Sequence, residues 1–197
     1  DKFGRYSFSN QPPITKWNLS RFAECLIPLI DNNEDKAIQL ATESIDNFQN
    51  IYEEKWLNMM RDKLGLFGKT KDDKKLIDDL LTWMEKNKAD YTNTFCYLMN
   101  ISIGNSSLYD DKEFINWSNN WKNRIFINNN SKDKSLELMK KTNPIIIPRN
   151  HKVEEALNAA NENDLKVMNR LLSKFNNPYG EQKGIEDYQL PSLDDNY

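Results

Sequence analysis

A single histidine, His151, serves the whole chain of 197 residues. That scarcity removes most nucleophile–histidine dyads and any histidine-rich metal site. Cysteine is nearly as rare: Cys25 and Cys96 each sit inside an apolar helical pattern rather than in a spaced pair. They read as buried core thiols, and the pattern argues against a disulfide framework or a zinc site and for a reducing compartment. Glycine occurs six times, and neither GxGxxG nor GxxxxGK[ST] is present to cradle a phosphate. No apolar run approaches the ~20 residues needed to span a bilayer, and no basic-then-apolar signal opens the chain. The 27 Lys and Arg interleave with 30 Asp and Glu for a net charge of −3, so bulk charge gives no nucleic-acid footprint. The expectation is a soluble chain that binds neither nucleic acid nor membrane. Residue 1 is Asp rather than Met, so it need not be the natural start.

What is present is helical period. Ile38, Ala41, Ile45, Phe48, Tyr52, Trp56 and Met59 recur every three or four residues, predicting one helix of about thirty residues from Asn33 to Leu64, closed by Gly65. Trp17, Leu19, Phe22, Ala23, Leu26 and Leu29 predict a shorter helix before it, ended or kinked by Pro28. Further stripes run over Leu76–Met84, over Phe95–Met99 behind an Asp90 cap, and over Phe114, Trp117, Trp121 and Ile125. Asn143-Pro144 reads as a helix start, and Val153–Ala160 with Leu165–Phe175 reads as a helical hairpin turning near Asn161–Asp164. No alternating strand pattern persists beyond Tyr6–Phe8. The fold class is therefore all-α around one core, with an extended lead-in at 1–16 where Pro12 and Pro13 forbid helix, a helical domain at 17–176, and an irregular tail at 177–197.

The candidate chemistry is thin. His151 could carry a proton, but its place beside Asn150 in the first turn of a helix favours a capping neighbourhood. The carboxylate doublets Glu53/Glu54, Asp72/Asp73, Asp78/Asp79, Asp110/Asp111, Glu154/Glu155 and Asp194/Asp195 point about 100° apart on a helix, so none converges on one ion by itself; they read as solvated faces or caps. KTKDDKK at 69–75 reads as a solvated helix entry. Trp117 and Trp121, four apart on one stripe, read as core packing. The residues alone leave an interaction module, a structural subdomain, or part of a larger enzyme.

Three stretches go further: GRYSFSNQPPITKWNLSRFAECLIPLI at 4–30, DYTNTF at 90–95 and NPIIIPRNHKVEEALNAA at 143–160, with KLGL at 63–66 and NPY at 177–179 in the same order. Together they resemble the C-terminal part of the selenoprotein O family, called YdiU in bacteria. The resemblance covers nearly the whole chain. It implies the helical C-terminal subdomain of a protein-kinase-like fold in a protein that transfers AMP from ATP to Ser, Thr or Tyr hydroxyls, with Mg²⁺ or Mn²⁺. It also implies that the nucleotide loop, catalytic aspartate and metal ligands lie upstream, so that no catalytic, cofactor or metal residue falls on this segment. The partners implied are the N-terminal kinase-like part of the same protein and the protein substrates. The location implied is cytoplasmic in a bacterium, mitochondrial in a eukaryote. GRYSFSNQPP would be the end of an activation-type segment, with Arg5, Tyr6, Asn10 and Gln11 facing the cleft, in substrate docking or in anchoring the loop. Two departures stand out: the chain stops at Tyr197 without the family's Cys- or selenocysteine-bearing tail, and Cys96 stands where relatives commonly carry a basic residue. The reading from another class is a stand-alone helical interaction domain without catalysis.

Overall fold

Helix α1, Gln11–Ile30, begins six residues before the sequence pattern suggests, immediately after a 3-10 turn at Phe8–Asn10. The extended lead-in expected over 1–16 is thus corrected. Pro12 and Pro13 fall in the first turn, where backbone amides have no partner inside the helix, so their missing N–H groups sacrifice no bond. The computed structural model describes residues 3–104, 106–127, 131–180 and 182–191. Among these every regular element is a helix: after α1 come α2 (Glu34–Asp46), α3 (Phe48–Lys63), α4 (Asp73–Lys86), α5 (Tyr91–Leu98), α6 (Lys112–Phe126), α7 (Lys132–Thr142), α8 (Asn150–Asn161), α9 (Lys166–Phe175) and α10 (Glu186–Gln189). The chain divides into two units, 1–58 and 59–197, rather than the single core expected.

In the first unit, α1 and α2 form an antiparallel pair. Asp31 and Asn33 close the turn between them: Asn33 caps α2 through the Lys36 amide at 3.0 Å, and Asp31 accepts from the Lys36 ammonium at 2.5 Å. At the far end Lys16 reaches Asp46 at 3.6 Å. Small residues line the seam, among them Ser20, Ala23, Ala41 and Thr42, and it holds a groove of about 480 Å³. The helix of thirty residues expected from Asn33 is interrupted at Asn47, which caps α2 through its amide to the Glu43 carbonyl at 3.2 Å. Trp56 is only half-buried. Among the described residues of this unit the buried ones are Ile14 and Ala37.

The second unit has a dense core. Trp83, Tyr109, Phe114, Trp117 and Trp121 are all buried, and Trp117 stacks on Trp121 at 5.9 Å and 6°. Each indole N–H has a partner: Trp83 donates to Asp111, Trp117 to the Leu76 carbonyl and Trp121 to the Leu64 carbonyl, at 2.7, 2.8 and 2.8 Å. The core reading of these tryptophans therefore holds, and the Trp83–Phe114 ring contact at 4.6 Å together with the Trp117–Leu76 bond holds α6 against α4.

Beside this core three helix ends meet at one carboxylate. Asp73 opens α4, Arg61 lies in the last turn of α3 and Arg124 in the last turn of α6, so each charge complements its own helix dipole. Asp73 is fully buried; Arg61 is 7% and Arg124 6% exposed. The carboxylate accepts from Arg61 Nε at 2.6 Å, Arg124 Nε at 2.6 Å and Nη2 at 3.2 Å, and the Thr70 amide and hydroxyl at 3.0 and 2.6 Å. Arg124 also donates to the Phe67 and Gly68 carbonyls, tying down the α3–α4 loop. Asp73 is thus no solvated cap, unlike Asp78 and Asp79, which pair on the surface with Lys74 and Lys75.

Gly65 closes α3 as expected. It takes φ +67°, its amide bonds the Asp62 carbonyl and the Leu66 amide bonds the Arg61 carbonyl, at 3.1 and 2.9 Å. A Cβ there would stand 2.7 Å from the Ser135 carbonyl oxygen. Asn143-Pro144, by contrast, ends a helix. Proline disfavours helical geometry in the residue before it, and Asn143 sits extended at φ −104°, ψ 118°. Its side-chain amide donates to the Lys63 and Met139 carbonyls at 2.8 and 3.0 Å, near the C-terminal ends of α3 and α7. The next helix starts at Asn150. The hairpin of α8 and α9 turns through Asn163 at φ +62°, as expected. The tail carries α10, with Ile185 and Gln189 buried; Asp194 and Asp195 lie outside the described residues.

Two changes test this core. Asp73→Asn leaves two arginines buried without a counter-charge and destabilises by about 3–5 kcal/mol, read from urea unfolding. Burial alone would push the Asp73 pKa up, but the bonds from Arg124, Thr70 and Arg61 hold the carboxyl far below its usual range. Its contribution is therefore complete above about pH 4 and lost as pH falls below that, so acid unfolding of Asp73→Asn is shallower than that of the parent. Gly65→Ala lowers stability by more than about 1 kcal/mol through φ and the Ser135 contact together.

Candidate functional site

The residues predicted to face a cleft cluster in the turn before α1. Gly4, at φ +61°, accepts at its carbonyl from the Ser7 amide at 2.9 Å and the Asn10 side chain at 2.8 Å. The Gln11 amide donates to the Tyr6 carbonyl at 2.6 Å and to that of Ser7 at 3.4 Å. Asn10 and Gln11 therefore spend their side-chain donors on closing the turn, which is the loop-anchoring role. The Arg5 guanidinium lies 5.4 Å from the centroid of the Trp17 ring, and Tyr6 is exposed. The structure brings all four residues into one surface turn.

The second polar cluster was not singled out from the sequence. Arg149, immediately before α8, grips Asp90 with both terminal nitrogens, Nη1 to Oδ2 at 2.5 Å and Nη2 to Oδ1 at 2.9 Å. Asp90 meanwhile caps α5 through the Asn93 amide at 2.8 Å, as its position predicted. Arg149 and Asn93 both donate to the Gln189 carbonyl, at 3.1 and 3.0 Å, and the Gln189 side chain returns a bond to the Ile145 carbonyl at 3.1 Å. This network ties α5, the 143–149 segment and α10 together; the signal for it was an arginine between two prolines and a helix, with no exposed role to fill.

Cys96 lies beside this cluster, fully buried, its thiol directed at the Ile145 carbonyl at 3.8 Å. Burial and the Asp90 carboxylate raise its pKa to about 11, only partly countered by Arg149, so it stays a neutral, inert thiol. Cys25 departs from the buried-thiol expectation: it is exposed on α1. His151 lies in the first turn of α8, as its sequence neighbourhood implied, and its Nδ1 is shielded and makes no hydrogen bond. Lys63 sits over the rings of Phe95 and Tyr91, at 4.7 and 5.3 Å, and burial lowers its pKa.

Among the described residues no three His, Cys, Asp or Glu side chains are grouped so that they could hold a metal ion, and no helix is long and apolar enough to cross a membrane. A concavity of about 560 Å³ lies between the loop after α5 and α6 and is lined by Tyr97, Tyr109, Asp110, Ser118, Asn119 and Lys122 among others.

Residues 1–176 match the family described as Protein adenylyltransferase SelO. The chain belongs to the SelO family. Proteins named Protein nucleotidyltransferase YdiU are its relatives: 56% identical in Pelagibacter ubique (strain HTCC1062) over 98% of this chain, 46% in Clostridium beijerinckii over 96%, and 44% in Nitrosococcus oceani over 97%. The chain spans 39–40% of the length of these SelO-family relatives.

The two thiols separate cleanly by chemistry. Under iodoacetamide at pH 8 the native 197-residue chain alkylates at Cys25 within minutes and leaves Cys96 unmodified until the protein is unfolded; equal labelling of both would contradict the burial of Cys96.

Proposed function

We propose that this chain is the helical C-terminal part of a protein adenylyltransferase whose overall fold is kinase-like. The observation that supports it is the coverage: a family match over 1–176 in a chain spanning only two fifths of its relatives. In the reaction the hydroxyl oxygen of a protein Ser, Thr or Tyr bonds to the α-phosphorus of ATP, the bond to the β-phosphate oxygen breaks, pyrophosphate leaves, and the hydroxyl proton passes to a base. The nucleotide and its Mg²⁺ or Mn²⁺ do not fit the residues described here, which group no metal ligands and offer no phosphate-cradling glycine loop. In this reading the chain's partner is the N-terminal kinase-like part of the same protein, and its protein substrates dock on the whole. The Gly4–Gln11 turn borders the cleft, with Asn10 and Gln11 shaping it and Arg5 and Tyr6 turned outward, and the protein works in the bacterial cytoplasm or, in a eukaryote, the mitochondrion.

The test uses the whole protein with ATP labelled at the α- or the γ-phosphate. Label from the α position, and none from the γ position, is transferred to protein, while the 197-residue chain alone transfers neither. Transfer from the γ position, or transfer by the chain alone, would overturn the reading. Arg5→Ala and Tyr6→Ala in the whole protein lower AMP transfer several-fold with an unchanged melting temperature; full activity in both removes their cleft role.

A further inference from the structure

Phe22, Cys25 and Leu29 lie three and four residues apart on α1, a stripe only about 60° wide at 100° per residue. Phe22 is 60% and Leu29 81% exposed, and Cys25 is exposed between them. Ser20, Ala23 and Ile27, on the other side of the same helix, line the seam with α2. The stripe is therefore the second apolar face of a helix whose first face is already used. Nearby in sequence, Phe3 and Phe8 are 91% and 96% exposed, and Trp17 is flanked by the guanidinium groups of Arg5 and Arg21 at 5.4 and 5.7 Å. Apolar centres edged by arginines and an aromatic ring have the composition of an interface rather than of an ordinary surface.

Stability makes the same point. Ordering a residue's backbone carries an entropic cost that apolar burial must offset. In residues 1–58 only Ile14 and Ala37 are buried among the described positions, so this unit lacks the core that would hold three helices in place. The exposed face of α1 is surface left over for completing it. The relatives extend well beyond the 39–40% of their length that this chain spans, so they contain a body of protein large enough to do so.

We propose that the Phe22–Cys25–Leu29 face of α1 is an intramolecular docking surface, occupied by the part of the whole protein that residues 1–197 do not include. The proposal rests on the reading of this chain as part of a longer adenylyltransferase and adds which face makes the joint. Docking on α1 places the surface turn at Gly4–Gln11 next to the covering body, so the joint also fixes the position of Arg5 and Tyr6.

Cys25 is a native probe of the face. In the whole native protein, pulse alkylation with N-ethylmaleimide read peptide by peptide labels Cys25 at least tenfold more slowly than a cysteine placed in the exposed α8–α9 turn by Glu162→Cys. Equal rates overturn the proposal. Protection that disappears on dilution assigns the face to a second copy and overturns it as well. Paired Phe22→Glu and Leu29→Glu substitutions restore fast Cys25 labelling while circular dichroism shows the helix content retained; if protection survives them, the stripe is not the joint. AMP transfer by the unlabelled parent is measured in parallel. Its absence with Cys25 protected refutes the adenylyltransferase reading and leaves the docking face standing, whereas its presence with Cys25 unprotected does the reverse.

Discussion

The carboxylate of Asp73 is the point on which the larger unit turns. A fully buried charge is tolerated only where every lone pair is engaged, and here two arginines and Thr70 do so. The geometry follows from helix ends: a negative residue suits the start of α4, positive residues suit the ends of α3 and α6, and one site serves all three. Once those ends converge, Trp117 and Trp121 lie along the inner face of α6, and the indole of Trp121 reaches the Leu64 carbonyl beside the Gly65 turn. The bidentate pair of Arg149 with Asp90 repeats the device on a smaller scale, fastening the extended 143–149 segment and α10 to the start of α5.

Helix content, the stop at Gly65, the Asp90 cap, the hairpin of α8 and α9 and the tryptophan stripe of α6 were all legible in the sequence, because each depends on spacing within one element. The ion cluster was not. Arg124 follows Trp121 by three residues and so lies on the buried stripe, which is the one sequence sign of a charge needing an inward partner, but nothing local points to Asp73, fifty-one residues away. Position within a helix misled twice. Pro12 and Pro13 look like helix breakers yet occupy the first turn of α1, and Asn143-Pro144 looks like a helix start although proline pushes the residue before it out of helical geometry. Arg5, Tyr6, Asn10 and Gln11 share one stretch of sequence, which does not reveal that Asn10 and Gln11 bond back to the turn itself.

The contrast between the units bears on function. Residues 59–197 carry the aromatic core and both ion clusters; residues 1–58 carry exposed aromatics, a loosely filled seam and an accessible thiol. The chain is of the SelO family and spans two fifths of its relatives' length. The first unit also carries the Gly4–Gln11 turn.

Native-state hydrogen exchange on the isolated 197-residue chain tests that asymmetry most directly. The account predicts that amides in α4, α5 and α6 exchange only through global unfolding, at least about a thousandfold more slowly than those of α1 and α2. Uniform protection across both units would contradict it, because it would mean that the first unit is already complete without the rest of the protein.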